Sequence, residues 1–199
     1  MYRFMKRAMD MVLSILALVL LSPLLGILAL LIKLDSPGPV LFKQLRVGRD
    51  KKLFHIYKYR TMRTDTPKDV PTHLLTSPDA YITKTGAFLR KTSLDELPQL
   101  INILRGEMSF VGPRPALYNQ DDLVAERDRY NANAVRPGLT GLAQVNGRDE
   151  LAIPVKAAYD GEYVKKISFV TDTRILFATV GKVAKHEGVV EGAKANARE

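Results

Sequence analysis

A mostly apolar run extends from Met11 to Ile32, MVLSILALVLLSPLLGILALLI, and no charged residue falls in it. At about 1.5 Å per residue, a helix of that length matches the roughly 30 Å hydrocarbon core of a bilayer. Such a helix is apolar on every face, which a helix on the surface of a soluble core is not. Ser22-Pro23 divides the run. Proline removes a backbone donor and kinks a helix, and the adjacent hydroxyl can bond a carbonyl left unpaired. After the turn-rich Asp35–Pro39, Val40–Leu45 and Leu53–Tyr59 read as two strands joined at Gly48-Arg49-Asp50, a β-hairpin. Thr61–Gly86, rich in Thr, Pro and Asp, reads as a long surface loop.

Helical spacing returns over Asp95–Arg105, with Leu97, Leu100, Ile101 and Leu104 on one face and Gly106 as the stop. Gly112-Pro113-Arg114-Pro115 excludes a helix and predicts a rigid extended turn. A polar helix is expected over Asp121–Asn131. A second Pro/Gly loop over Arg136–Gly141 leads into Ala143–Arg148. Asp172–His186 carries a helical stripe of Ile175, Leu176, Thr179, Val180 and Val183, with Lys182 and Lys185 beside it. That helix could pack on the core or lie on a bilayer. Residues 188–199 read as a frayed tail. The pattern predicts a mainly α protein with a short β-hairpin, an α+β fold.

Composition narrows the chemistry. The 199 residues are enough for one domain with a real core. Zero Cys excludes disulfides, thiol catalysis and Cys-ligated metal, and three scattered His leave little for a His-rich site. The formal charge is +9, and it is unevenly placed. Residues 1–63 hold 12 basic and 3 acidic side chains, whereas 64–199 hold 18 of each. A nucleic-acid binder spreads its excess over its binding domain, so this charge speaks for anionic headgroups or an anionic substrate at a membrane surface.

The apolar run has basic residues on both sides: Arg3, Lys6 and Arg7 before it, and Lys33, Lys43, Arg46 and Arg49 after it. Both flanks therefore carry the cytoplasmic signature, which a single crossing cannot satisfy. A helix bent at Ser22-Pro23 enters and leaves by one face, although spanning helices also contain proline. The run is long for a signal peptide, and no A-x-A-like cleavage pattern follows Ile32.

The stretch Phe88–Leu100, FLRKTSLDELPQL, admits two readings. Ser93 followed by Glu96 matches a capping box, and acidic residues belong at helix starts. Adjacent carboxylates Asp95 and Glu96, with Arg90 and Lys91 just upstream, also supply the parts that hold Mg²⁺ and a diphosphate. Arg114, fixed between two prolines, aims a guanidinium that matches a phosphate, or pairs with a neighbouring acid. Arg136 and Arg148, each in a Gly-containing loop, invite the same two readings. Lys58, Arg60 and Arg63, at the end of the hairpin, bind phosphate or form only a solvated or headgroup-facing charge cluster.

Five segments taken together resemble one family. They are Phe42–Gly48 (FKQLRVG), Ile56–Met62 (IYKYRTM), Leu94–Gln99 (LDELPQ), Met108–Pro115 (MSFVGPRP) and Arg136–Arg148 (RPGLTGLAQVNGR). In this order they are similar to the bacterial monotopic phosphoglycosyl transferases, or bacterial sugar transferases. The resemblance covers residues 1–187. It implies a re-entrant membrane helix over 1–36 broken at Ser22-Pro23, a cytosolic catalytic domain over 37–187 with interfacial amphipathic helices, and a flexible tail over 188–199. It implies the cytoplasmic face of the bacterial inner membrane, with both termini cytosolic.

The activity so implied is transfer of a sugar 1-phosphate from a UDP-sugar to a polyprenyl phosphate such as undecaprenyl phosphate, releasing UMP. By the same resemblance Asp95 is the nucleophile, forming a phosphosugar-aspartate in a ping-pong sequence. Asp95 and Glu96 hold Mg²⁺, with Glu96 as ligand or base. Arg90, Arg114, Lys58, Arg60, Arg136 and Arg148 bind substrate. An N-acetylated amino sugar is the expected donor, and Ala116–Gln120 and Leu151–Tyr163 are the expected pocket lining. The expected partners are the two substrates and an anionic bilayer, without nucleic acid, and a homo-oligomer is left open. The rival of a different class is a non-catalytic anchor whose basic region binds anionic lipid or nucleic acid.

Overall fold

A computed structural model describes residues 2–66, 80–147 and 151–184, with side chains as far as Lys182. The expected tail over 188–199, Arg148 and the centre of the Thr61–Gly86 loop lie outside the described residues. The fold is mostly helical with a small antiparallel sheet, as the pattern predicts.

The apolar run forms two helices, α1 (Tyr2–Leu20) and α2 (Ser22–Asp35), bent by 63° at Leu21. Pro23 cannot donate to Val19 O, its partner four residues back. The Ser22 hydroxyl donates to that same carbonyl at 2.8 Å. The Ser-Pro pair thus breaks the helix and repairs the loss within one turn. Neither helix alone is long and apolar enough to cross a membrane, while the bent pair together is, by length and composition.

One side of the bent pair packs inward. Ala17, Leu18 and Leu21 lie on Phe54, Ile56, Leu100, Ile103 and Met108. Leu24, Leu25, Leu28, Ala29 and Ile32 lie on Tyr59 and Leu89. The other side, from Val12, Ile15, Leu16 and Val19 to Ile27, Leu30 and Leu34, is bare apolar surface.

Strands β1 (Leu41–Val47) and β2 (Leu53–Tyr59) form the expected hairpin, each residue from Leu41 to Val47 opposite one from Tyr59 to Leu53. The 3-10 turn at Arg49–Lys51 reverses the chain, with Asp50 and Lys51 both left-handed at φ 53° and 61°. Immediately after β2, Arg60 is buried and donates to Pro37 O at 2.5 Å, Ser36 O at 2.8 Å and Ile32 O at 3.4 Å. It closes the carbonyl end of α2, where a cation also meets the negative pole of the helix dipole. Tyr59 OH donates to Leu25 O at 2.8 Å.

The surface-loop expectation fails at its C-terminal end. Helix α3 (Lys84–Thr92) begins there, started by the Thr83 hydroxyl, which accepts from Gly86 N. A side chain at Gly86 would put a Cβ 2.0 Å from Thr61 O, so only glycine allows α3 to sit there. Helix α4 spans Gln99–Arg105, four residues shorter at its start than expected. Ahead of it Leu94–Glu96 form a 3-10 turn entered through left-handed Ser93, φ 57°, which caps nothing with its side chain. The capping box is therefore absent, because Pro98 delays the α-helical ladder by one turn. Gly106, φ 84°, ends α4 as expected. The buried face is Gln99, Leu100, Asn102 and Ile103; of the expected stripe Leu100 is buried, while Leu97, Ile101 and Leu104 are half-buried.

Beyond α4, β3 (Ser109–Val111) and β4 (Gly138–Thr140) pair in parallel, a contact that the sequence pattern did not announce. The remaining helices are α5 (Asp121–Asp128), α6 (Leu142–Val145), α7 (Ile153–Lys165) and α8 (Phe169–Ala184). A buried ion pair, Arg127 to Asp160 at 2.6 Å, locks α5 to α7. The α8 stripe divides: Ile175 is buried and Thr179 shares a hydrogen bond with Thr140, while Phe169, Val170, Phe177 and Val180 face outward. Asp172 binds α8 to α1 through Tyr2 OH and Lys6 Nζ, each at 2.7 Å. A cavity of about 150 Å³ between them is walled by Met9, Leu13, Phe169 and Leu176.

Candidate active site

Three elements converge on the 3-10 turn that carries Asp95 and Glu96. Strand β2 brings Lys58, whose ammonium donates to Glu96 Oε1 at 2.7 Å. The Gly112–Pro115 turn brings Arg114, with Nη1 3.6 Å from the same oxygen. That turn is held on both sides, since Gly112 N donates to Thr140 O and Gly138 N donates to Pro113 O, each at 2.9 Å. The last turn of α3 brings Arg90. Lys58 and Glu96 are largely out of water, with side chains 16% and 13% exposed. Charges so placed interact through a medium that screens them weakly.

Asp95 differs from Glu96. No described residue donates a hydrogen bond to its carboxylate. Burial pushes its pKa above the ordinary carboxylate value, an effect that Lys58 opposes and Glu96 reinforces, while Arg90 and Arg114 pull it down. Burial pulls Lys58 below its ordinary value, against the stabilising charge of Glu96. The arrangement is a desolvated, unbonded carboxylate facing three cations beside a second, tethered carboxylate. Its oxygen is available to a metal or an electrophilic centre, and its cations can compensate phosphate charge.

The described residues bring together no group of three or more His, Asp or Glu suited to a metal ion. Two adjacent carboxylates nevertheless fit Mg²⁺, which ordinarily takes one or two carboxylates and completes its shell with water and substrate phosphate.

Of the sequence-derived site residues, the structure gathers Asp95, Glu96, Arg90, Arg114 and Lys58. It does not gather Arg60, which closes α2, nor Arg136, whose Nε donates to Gly106 O at 2.8 Å at the far end of α4. Beside Arg136, Arg7 donates to Ile103 O and Leu104 O. Burial, then the charges of Arg7 and Arg49, lower the Arg136 pKa. Ser22 and Pro23 lie at the helix break as expected. Ala116 and Leu117, expected to line a pocket, are buried in the core. Sequence reasoning passed over Asn102, fully buried on α4 between two isoleucines. A polar residue inside an apolar helix face is the signal that marks it.

The profile of the bacterial sugar transferase family matches residues 1–186. The chain is 47% identical over 190 residues to the exopolysaccharide production protein PSS of Rhizobium leguminosarum bv. phaseoli, covering 88% of this chain and 93% of that protein. It is 44% identical over 193 residues to the UDP-glucose:undecaprenyl-phosphate glucose-1-phosphate transferase of Escherichia coli, and 38% identical over 200 residues to the undecaprenyl-phosphate galactose phosphotransferase of Salmonella typhimurium. These matches cover 90% and 94% of this chain but only 40% and 42% of those longer proteins.

The contacts separate structural from site arginines. Replacing Arg60 or Arg136 with Met strands helix-terminal carbonyls and lowers unfolding free energy by about 2–3 kcal/mol. Replacing Arg114 with Met, a partly exposed group, costs less than about 1 kcal/mol. Denaturant unfolding measures both, and the opposite ranking would contradict these roles.

Proposed function

The chain belongs to the bacterial sugar transferase family and is a transferase; from that premise we propose that it passes a sugar 1-phosphate from a UDP-sugar to a polyprenyl phosphate such as undecaprenyl phosphate. The observation that carries this reading is Asp95, unbonded and desolvated among Lys58, Arg90 and Arg114. Membership in a transferase family sets aside the non-catalytic anchor.

In the first step an Asp95 carboxylate oxygen attacks the β-phosphorus of the UDP-sugar. The bond from that phosphorus to the bridging oxygen breaks, and UMP leaves with the oxygen. In the second step a phosphate oxygen of the polyprenyl phosphate attacks the same phosphorus, and the Asp95 carboxylate is released unchanged. UMP departs before the acceptor reacts, so the kinetics are ping-pong. Arg90 and Arg114 hold phosphate oxygens, and Lys58 holds and aims Glu96. Asp95 and Glu96 are the residues that would hold Mg²⁺, which when bound neutralises diphosphate charge. A carboxylate paired with an ammonium is a poor proton acceptor, which favours Glu96 as a ligand over a base.

The sugar is open to a choice. Two of the relatives are named for transfer of glucose 1-phosphate and of galactose phosphate, which supports a simple hexose ahead of the N-acetylated amino sugar that the family resemblance suggests. The name of the Rhizobium relative supports a role in exopolysaccharide production.

The bilayer is read from the bare apolar surface. The outward face of α1, which α2 continues beyond the bend, and the outward residues of α8 adjoin across the cavity walled by Met9, Leu13, Phe169 and Leu176. With the 63° bend, this surface supports a re-entrant pair dipping into one leaflet of the inner membrane from the cytoplasmic side. A polyprenyl phosphate stays in the bilayer, so a site beside such a pair meets its headgroup at the interface.

Asp95→Asn is expected to lower UMP release from a UDP-glucose, UDP-galactose and UDP-N-acetylhexosamine panel with polyprenyl phosphate by at least about 10³-fold. The variant should stay in the membrane fraction. Turnover within tenfold of the wild type would remove Asp95 as nucleophile, and wild-type turnover of the amino sugar alone would reverse the sugar assignment. For topology, tags at both termini should show the same protease access in sealed inner-membrane vesicles. Access on opposite sides means a spanning anchor.

A further inference from the structure

The two-stranded sheet leaves β2 with one edge facing away from β1, and an unpaired edge needs partners for its backbone groups. Helix α4 lies along that edge. From it Asn102 Nδ2 donates to His55 O at 2.8 Å, and Asn102 Oδ1 accepts from Tyr57 N at 3.0 Å. A residue of a parallel third strand would bond the same two groups, on either side of Ile56. One side-chain amide stands in for that strand. The amide is itself fixed, because Nδ2 also donates to Glu107 Oε2 at 2.7 Å, just beyond the Gly106 turn. Flipping the amide would set donor against donor and acceptor against acceptor, so the network permits one orientation.

Asn102 and the Asp95–Glu96 turn belong to one rigid stretch, the 3-10 turn leading straight into α4. Lys58 is the residue after Tyr57. Besides the long, exposed side chain of Arg105, which donates to Tyr57 OH at 2.7 Å and can follow a slip, the remaining contacts between β2 and α4 are apolar, Phe54 and Ile56 on Leu100 and Ile103. Apolar contact is non-directional and tolerates sliding, whereas a one-residue slip of β2 moves Lys58 by about 3.3 Å. That distance exceeds what the 2.7 Å bond to Glu96 can absorb.

We propose that Asn102 is a positioning residue for the transfer reaction: its amide sets the register of β2 on α4 and so delivers the Lys58 ammonium to Glu96 beside the nucleophile. The inference rests on the phosphosugar-transfer reading of Asp95.

Single-turnover UMP release, with UDP-sugar present and acceptor omitted, separates this role from general destabilisation. The amplitude counts folded sites, and the rate constant reports chemistry per site. Asn102→Ala is expected to keep an amplitude within twofold of the wild type and to lose at least tenfold in rate constant. In a Lys58→Gln background the same substitution is expected to change the rate constant by less than twofold, since the contact it positions is already gone. Glu107→Ala, which frees the amide without deleting it, is expected to show an intermediate loss of rate and serves if Asn102→Ala does not fold. A wild-type rate constant with reduced amplitude, or equal losses with and without Lys58, would overturn the role. If the wild type itself releases no UMP from any UDP-sugar, it is the functional reading that fails.

Discussion

The Lys58–Glu96 ion pair is the contact on which the site depends, because the charges around it sit largely out of water. Removing one partner of such a pair leaves an uncompensated charge in a medium that punishes it. Glu96 alone would also push further against ionisation of Asp95, since two adjacent carboxylates repel. The ammonium therefore opposes the burial that raises the Asp95 pKa. Everything that places Lys58 becomes part of the site, and what places it is four consecutive residues, the last three of β2 and the one that follows. Tyr57 N–H is held by Asn102, Lys58 reaches Glu96, Tyr59 OH holds Leu25 O, and Arg60 closes the end of α2.

That run joins the apolar helices to the reacting carboxylates with no intervening linker. The two arms of the bent pair also flank the dyad on either side, since α1 packs on α4 and α2 on the helix bearing Arg90. The 63° bend makes this bracket possible, and the Ser22 hydroxyl removes most of its hydrogen-bonding cost. A straight helix of the same composition could lie along one of these elements but not both.

Features that depend on neighbours in sequence were legible from the sequence. The hairpin, the Ser-Pro break, the stop at Gly106 and the extended turn at Arg114 each follow from local backbone rules. The closeness of Asp95 to Arg90 and Arg114 was legible as chemistry only. Features that depend on distant chain were not legible. Helix α3 hides in a Thr/Gly/Lys composition and is held by Leu89 against α2. Arg60 and Arg114 look alike in sequence, yet one meets three carbonyls and the other meets a carboxylate. The capping box at Ser93 had the right letters, and Pro98 together with a left-handed Ser93 overrode it. The +9 charge likewise resolves into separate uses, some basic residues closing helix ends and others facing the dyad.

The central claim is that Asp95 becomes covalently bonded to the phosphosugar. Acid-quenched enzyme, incubated with UDP-sugar and no polyprenyl phosphate, can be digested and its peptides weighed. The prediction is one sugar phosphate per chain on the peptide containing Asp95, lost again when polyprenyl phosphate is added before the quench. An unmodified Asp95 peptide from enzyme that transfers sugar phosphate when both substrates are present would contradict it.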